Sequence, residues 1–307
     1  DWHSVSDDHD QTTVVGGEDG DNSDVDTLAL YTFDANDGVV VDVTGPESGT
    51  FDYNGTDAAS TFSEMEAIQT TGFDDSIPGC TGDAIVYAGA GSDTVDLGGG
   101  DDYADLGASD GDVDTVVFSA GDGSDTVENF EIPTANGDGT YTGIDQVDIT
   151  GMLTISGEQA TTADVRVVSN VDGDAVLFFP NGESLTLVGV TPDQVDDPAV
   201  LVAMGIPQDG IVSGHATDDN INGSYIGDPD GDLIGHNDAI LNGEVGNDDI
   251  VMAVAGNDII RSEDGNDEVY ADRTIADLIV NGSFEDLTGT VDTSWGDEDV
   301  GSIECST

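Results

Sequence analysis

Gly91, Asp93 and Val95 recur as Gly100, Asp102 and Ala104 nine residues later, within the stretch VYAGAGSDTVDLGGGDDYADLG at 86–107. Each triplet joins a backbone free to adopt left-handed dihedrals, a short carboxylate and a small apolar side chain. Glycine lets a few residues reverse direction and point their carbonyl oxygens inward. The x-U-x that follows is long enough for a short strand with one inward apolar residue. Carboxylates stacked beside inward carbonyls demand a hard cation. Calcium suits such a site because it accepts roughly six to eight oxygens at flexible geometry, whereas magnesium keeps its waters.

The register carries this reading, since 42 Gly and 53 Asp produce G-x-D about seven times by chance. Counting back by nine from Gly91 gives Gly82 and Phe73; two residues on from these stand Ala84 and Asp75, and four on stand Val86 and Ile77. Apolar residues therefore fill the column 77, 86, 95 and 104. After a short insertion the frame resumes at Asp114 and Val116, then at Gly123, Asp125 and Val127. A second run places Gly256, Asp258 and Ile260 before Gly265, Asp267 and Val269, with Asn247, Asp249 and Val251 ahead of them. A turn and a strand make half a coil, so two nonapeptides complete one. Asp75 then lies beneath Asp93 on one side, while on the other Ala84 lies beneath Asp102, where the pattern calls for a carboxylate.

At these residues the chain resembles the RTX, or hemolysin-type calcium-binding, repeat proteins, whose consensus is G-G-x-G-x-D-x-U-x. The resemblance covers about residues 17–150 and 210–273 and is specific through repetition. It implies right-handed parallel β-rolls with several calcium ions between successive turns. Residue by residue, it implies side-chain ligands at Asp93, Asp102, Asp125, Asp258 and Asp267, with turn carbonyls near Gly91, Gly100, Gly123, Gly256 and Gly265. Asp75, Asp114, Asp219 and Asp249 match with their preceding glycine replaced, and Ala84 breaks the pattern. The resemblance also implies type I secretion of an unfolded chain, and hence a secreted, extracellular or cell-surface location.

The elements that must position these residues read as an all-β chain. Residues 1–16 are expected to be a flexible segment, and 17–150 a first roll flanked by degenerate strands such as DVDTLAL and SEMEAIQTTGFDDSIPG. Residues 151–206 read as a β-rich capping module, because 163–190 alternates apolar residues around turns at Asp172-Gly173 and Pro180–Gly182. Thr191 and Pro192 open a helix signal that Gly205 stops, with Pro198 interrupting it. Residues 207–273 form a second roll, and 274–307 resemble the start of a jelly-roll-like β-sandwich, too short to close. Within the second roll, SYIGDPDGDLIGHND alternates Asp228, Asp230 and Asp232. As an EF-hand loop it fails, with Leu233 at the glycine position and Ala239 at the bidentate glutamate position. It is either an inserted loop with an extra calcium site or a solvated turn.

Composition bounds the partners. The chain carries 67 acidic residues against three Arg and no Lys, a formal charge of -64 over 307 residues. Self-repulsion of this size opposes any compact state unless counter-charge is built in or the solvent is very salty. Nucleic acid and anionic membranes are excluded as partners, and the longest apolar run, AVLVAMGI, is far short of a membrane span. Asp outnumbers Glu by 53 to 14, and Asp is the acid of turns and compact oxygen-ligand sites. A halophile's solvated surface is the rival account of the charge, but it does not predict the period. Cys80 and Cys305 leave one disulfide open and exclude a disulfide-built scaffold.

No catalytic constellation stands out. His3, His9, His215 and His236 form no H-E-x-x-H, and G-x-S-x-G is absent. The N-terminal HSVSDDHD is either a transition-metal ligand set or a frayed polar end. The expected function is therefore a non-enzymatic, calcium-binding structural or adhesive segment. The alternatives are the non-catalytic export and folding region of a secreted hydrolase, or part of a glycan-binding surface protein. Expected partners are calcium ions and a cell-surface or glycan ligand, with self-association through open roll edges left open.

Overall fold

Short apolar-centred strands separated by glycine turns can bury their single inward residue only by stacking, and this dictates the architecture. The computed structural model describes residues 1–6, 11–17, 25–32, 38–45, 47–53, 59–79, 82–108, 111–137, 140–235, 247–263, 265 and 267–270, with the backbone of 279–280. The chain divides into two compact units, Asp1–Pro207 and Gln208–Thr307. Both are β-structures built on parallel pairing. Among the described residues, no helix is long and apolar enough to cross a membrane.

The first unit is a roll of two sheets. One runs Trp2–Ser6, Thr27–Tyr31, Ala67–Gln69, Ile85–Tyr87, Tyr103–Asp105, Ser124–Glu128 and Ser184–Leu187, all parallel, and ends with antiparallel Ala175–Phe178 and Arg166–Ser169. The other runs Gln146–Asp148, Thr115–Val117, Thr94–Asp96, Ser76–Ile77 and Val39–Gly45, then Ser48–Tyr53, Ser60–Ser63 and Thr13–Val15. The chain alternates between the sheets through the repeat region. Val95 pairs with Ile77 below and Val116 above, and Ala104 pairs with Val86 and Val127. These columns are buried, and they share one core with Phe118, Leu177, Leu185 and Met204. Phe118 and Phe179 bring their ring centroids to 5.0 Å, joining the roll to the strands that follow it.

Three features depart from the sequence expectation. Residues 2–6 and 13–15, expected to be flexible, are strands: the first pairs with Thr27–Tyr31, the second with Ser60–Ser63, and Val14 is buried in the core. The strands Val39–Gly45, Ser48–Tyr53 and Ser60–Ser63 pair antiparallel inside an otherwise parallel sheet. The expected helix from Thr191 to Gly205 is split. Thr191 caps only the 3-10 turn Pro192–Gln194, its N–H donating to Gln194 Oε1 at 2.8 Å. Pro198 cannot continue a preceding turn but is pre-organised to start one. The α-helix therefore spans Pro198–Ala203 with Asp197 as its N-cap, accepting from the Ala199 N–H at 3.0 Å.

The second unit repeats the plan on a smaller scale. Ile211–Ser213, Ile250–Met252 and Glu268–Tyr270 lie parallel, with Ile279–Val280 antiparallel at the end, and Asn220–Ile221 pairs with Ile259–Ile260. Val212, Ile221, Ile234, Val251 and Ala253 fill its core. Residues 281–307, with the expected sandwich start, lie outside the described residues, as do Cys80, Cys305, His9 and His236.

Candidate metal centre

The turns that join the two sheets bring the carboxylates into ladders. On one edge of the roll, the Asp75 N–H donates to Asp93 Oδ1 at 2.8 Å, 18 residues away. The Asp93 N–H donates in turn to Asp114 Oδ1 at 2.9 Å, and the Asp114 N–H to Asp145 Oδ1 at 3.0 Å. Asp75 ends the series by accepting from the Val39 N–H. On the opposite edge the Ala84 N–H donates to Asp102 Oδ1 at 2.6 Å, and the Asp102 N–H to Asp125 Oδ1 at 2.9 Å. Each aspartate thus holds the backbone of the coil beneath it through one oxygen. Stacking at this closeness requires glycine where turns touch. At Gly123, with φ at +103°, a Cβ would collide with the Gly100 carbonyl oxygen.

The second oxygen of each aspartate has a different fate. Oδ2 of Asp93, Asp102 and Asp125 is buried and without a hydrogen-bond partner. Among the described residues no cationic side chain is ion-paired to these three. Burial pushes the Asp93 carboxyl up to about 8; the Asp75 N–H opposes this, while the charges of Asp75, Asp114 and Asp74 add to it. Asp125 also rises to about 8 through burial, against the Asp102 N–H and with the charges of Asp102, Asp122 and Asp101. Asp102 rises to about 6, again through burial first. Asp75 is raised by burial despite the N–H groups of Val39 and Thr71. Buried carboxylate oxygens with neither a donor nor a counter-charge are unstable as they stand. Their chemistry is that of a hard divalent cation's ligands, and so the residues fit calcium.

Ala84 interrupts the second ladder. With no carboxylate there, the Glu66 N–H one coil below turns to the Asp26 carbonyl at 3.1 Å, and Glu66 Oε2 accepts from the Asp26 N–H at 2.6 Å. A cavity of about 370 Å³ opens at this break, lined by Glu47, Glu66, Asp83, Ala84 and Asp96 among others.

The second unit carries the same construction. The Asp219 N–H donates to Asp258 Oδ1 at 2.9 Å, and the Asp249 N–H to Asp267 Oδ1 at 3.1 Å. Burial raises the Asp258 carboxyl, with Asp219 and Asp218 adding charge. Asp219 itself accepts from the His215 N–H at 2.6 Å. At Gly256, φ is +142°; Gly265 lies against the Asn247 carbonyl oxygen, too close for a Cβ. The acidic insertion is not a solvated turn. Asp228, Asp230 and Asp232 are all buried, and Asp209 joins them.

Several participants escaped the sequence reading. At several turns the residue before the ladder position forms an outer ladder of opposite sense: Asp74 accepts from the Ser92 N–H at 2.9 Å, Asp83 from the Asp101 N–H at 3.0 Å, Asp101 from the Ser124 N–H at 3.2 Å and Asp218 from the Asn257 N–H at 2.9 Å. The recurrence of Asp, Ser or Asn at that position is a signal the sequence does contain. Asp145 and Glu131 close one ladder end, where Asp145 Oδ2 accepts from the Glu131 N–H at 2.6 Å. Asp122 and Glu183 meet at the other edge: Glu183 Oε1 accepts from the Gly121 N–H at 2.8 Å, and burial with the charges of Asp96 and Glu183 lifts Asp122 to about 6.

No protein-family model matches the chain, and no curated protein matches it. Among matching solved structures is the solution structure of the R3 subunit of the Azotobacter vinelandii mannuronan C5-epimerase AlgE6. It is 19% identical, over 40% of this chain and 77% of that one, with a TM-score of 0.17. This chain's own strand registers and carboxylate ladders define it as an all-β protein of parallel β-rolls.

Proposed function

We propose that the chain is a calcium-stapled structural or adhesive segment that folds outside the cell. The observation that carries this reading is the set of buried, unpartnered Oδ2 atoms on Asp93, on one edge of the roll, and on Asp102 and Asp125, on the other. Asp93, Asp75 and Asp114 would hold calcium along one edge, Asp102 and Asp125 along the other, and Asp219, Asp249, Asp258 and Asp267 in the second unit, with carbonyls of the turns at Gly91, Gly100, Gly123, Gly256 and Gly265. Bound calcium supplies the positive charge that the ladders lack. One site stabilises the folded state by roughly 2.7 kcal/mol when calcium is a hundredfold above its Kd. A few such sites match the stability of an ordinary domain.

The same linkage supports an extracellular role. Cytosolic calcium lies far below the range of weak extracellular sites, so a newly made chain stays extended by its own charge and folds on reaching calcium outside. The test is a calcium titration of the whole chain, followed by far-UV circular dichroism. The expected result is little β-structure in chelator and full β-structure in millimolar calcium. Unchanged spectra across the titration would overturn the proposal.

A further inference from the structure

The insertion in the second unit holds an acidic cluster that belongs to neither ladder. Asp209, at the entry to strand Ile211–Ser213, meets Asp230 and Asp232 of the insertion so that one oxygen from each lies within 4.8 Å of the others. Backbone bonds hold the strand entry against the loop. The Asp209 N–H donates to Asp230 Oδ2 at 3.0 Å, and the Gly210 N–H donates to Asp232 Oδ2 at 3.0 Å. Gln208 Nε2 adds a bond to the Asp230 carbonyl at 2.8 Å. Asp232 is 1% exposed, and its Oδ1 is buried with no hydrogen-bond partner. Three carboxylates drawn together, two of them buried and Asp209 half-buried, repel one another, and an unpartnered buried oxygen has lost its hydration without replacement. A hard cation relieves both costs.

Asp228 has a different part. Its Oδ1 accepts from the N–H groups of Asp230, Gly231 and Asp232 at 3.0, 2.8 and 3.0 Å, and its Oδ2 from the Ser213 N–H at 2.6 Å. With both oxygens engaged by backbone donors, it shapes the loop and ties it to the strand. The placement has a structural purpose. The insertion separates Asn220–Ile221 from Ile250–Met252, and each of these strands must still pair in its own sheet.

We propose that Asp209, Asp230 and Asp232 form a carboxylate-only site for one hard divalent cation, which clasps the insertion onto the first strand of the second unit, and that Asp228 positions the loop without ligating. The site sits at the turn that leads into the strand stacked on Ile250–Met252, but none of its three carboxylates belongs to the ladders of Asp219, Asp258, Asp249 and Asp267, so it stands whether or not those ladders bind calcium.

The test uses the whole chain with calcium alone. Calorimetry counts the ions, and hydrogen exchange read by mass spectrometry locates them. In the wild type, peptides covering 208–213 and 226–235 gain protection on adding calcium. Asp209→Asn and Asp232→Asn each lower the ion count by one and speed exchange in those peptides by about tenfold or more, while peptides over 85–128 keep their response. Asp228→Asn keeps the count and weakens the affinity. The proposal is overturned if wild-type exchange at 226–235 is the same with and without calcium, a comparison that needs no variant to fold. It is also overturned if Asp209→Asn and Asp232→Asn both keep the full ion count. Loss of the calcium response over 85–128 alone would count against the ladders and leave this site standing.

Discussion

Replacing Asp93 by Asn separates the two roles of a ladder aspartate. Asn keeps an oxygen for the Asp75 N–H, which now sits 2.8 Å from Oδ1, but carries no charge. In the absence of cation the Asp93 carboxyl is pushed to about 8 from an ordinary 3.8, chiefly by burial. A carboxyl raised in this way favours the folded state fully below its unfolded value and loses that contribution as pH climbs through about 8. Near pH 7 the folded chain must hold a proton that the unfolded chain has released, at a cost of about 4 kcal/mol from 1.36 kcal/mol per unit. Asn removes this cost. In chelator, the Asp93→Asn chain therefore keeps acid-induced β-structure to higher pH than the wild type. In calcium the sign reverses: the site has lost a charged ligand, and the calcium midpoint rises by about tenfold or more. Circular dichroism against pH in chelator and against calcium near neutral pH reads both effects, and Asp125→Asn, whose carboxyl is also raised to about 8, must behave alike. A variant destabilised in both media would make Asp93 an ordinary hydrogen-bonding residue and refute the reasoning.

Because the unfolded chain has its carboxylates ionised at pH 6 to 8, calcium that folds it displaces no proton from Asp93 or Asp125, and the calcium midpoint of folding should change by less than about threefold across that range. A midpoint that rises by about tenfold or more on acidification to pH 6 would show the ladders already folded and protonated before calcium arrives. Ala84→Asp has room in the adjoining cavity of about 370 Å³ and should lower the calcium midpoint several-fold by continuing the ladder; an unmoved titration would show that the break is not a site. Gly123→Ala, in calcium, should cost roughly 3 kcal/mol or more in thermal unfolding because it meets the Gly100 carbonyl at positive φ. Gly173→Ala, also at positive φ but in open space, should cost only about 1 kcal/mol, and equal losses would contradict the close stacking.

The parts of the roll that obey the nine-residue period are legible in the sequence alone. Ile77, Val86, Val95 and Ala104 each need an inward position, and glycine and aspartate at fixed offsets leave one way to stack them. What the period cannot convey is what insertions bring back. Asp145 reaches Asp114 across 31 residues that include the hairpin Thr134–Ala135 with Tyr141–Thr142. Glu183 reaches Gly121 across 62 residues of intervening strands. Asp209 meets its partners only because the insertion folds back on the strand entry. The antiparallel pairing of Val39–Gly45, Ser48–Tyr53 and Ser60–Ser63 is hidden for a related reason: β-branched and aromatic residues suit antiparallel and parallel neighbours alike. Asp228 shows the limit of composition, since four backbone N–H groups, invisible in the sequence, decide its role.

The excess of Asp over Glu, 53 to 14, acquires a structural cause and with it a decisive experiment. An aspartate is just long enough to reach the N–H of the next coil with one oxygen while the other stays in the turn, and few rotamers are lost in fixing it. Glu66, the exception in its column, also reaches the Asp26 N–H, and it sits beside the break at Ala84. A halophile's surface needs acids in water and has no reason to stack them. Asp93, Asp102 and Asp125 are only 1 to 3% exposed. Concentrated potassium chloride screens exposed charges over about 3 Å near 1 M, yet buried oxygens are screened much less and still need a ligand-bound cation. In about 2 M potassium chloride with chelator the ladders should therefore remain unfolded, whereas about 5 mM calcium at low salt should fold them. Folding in the salt and not in the calcium would mean that screening alone suffices, and would return the charge to a solvated surface.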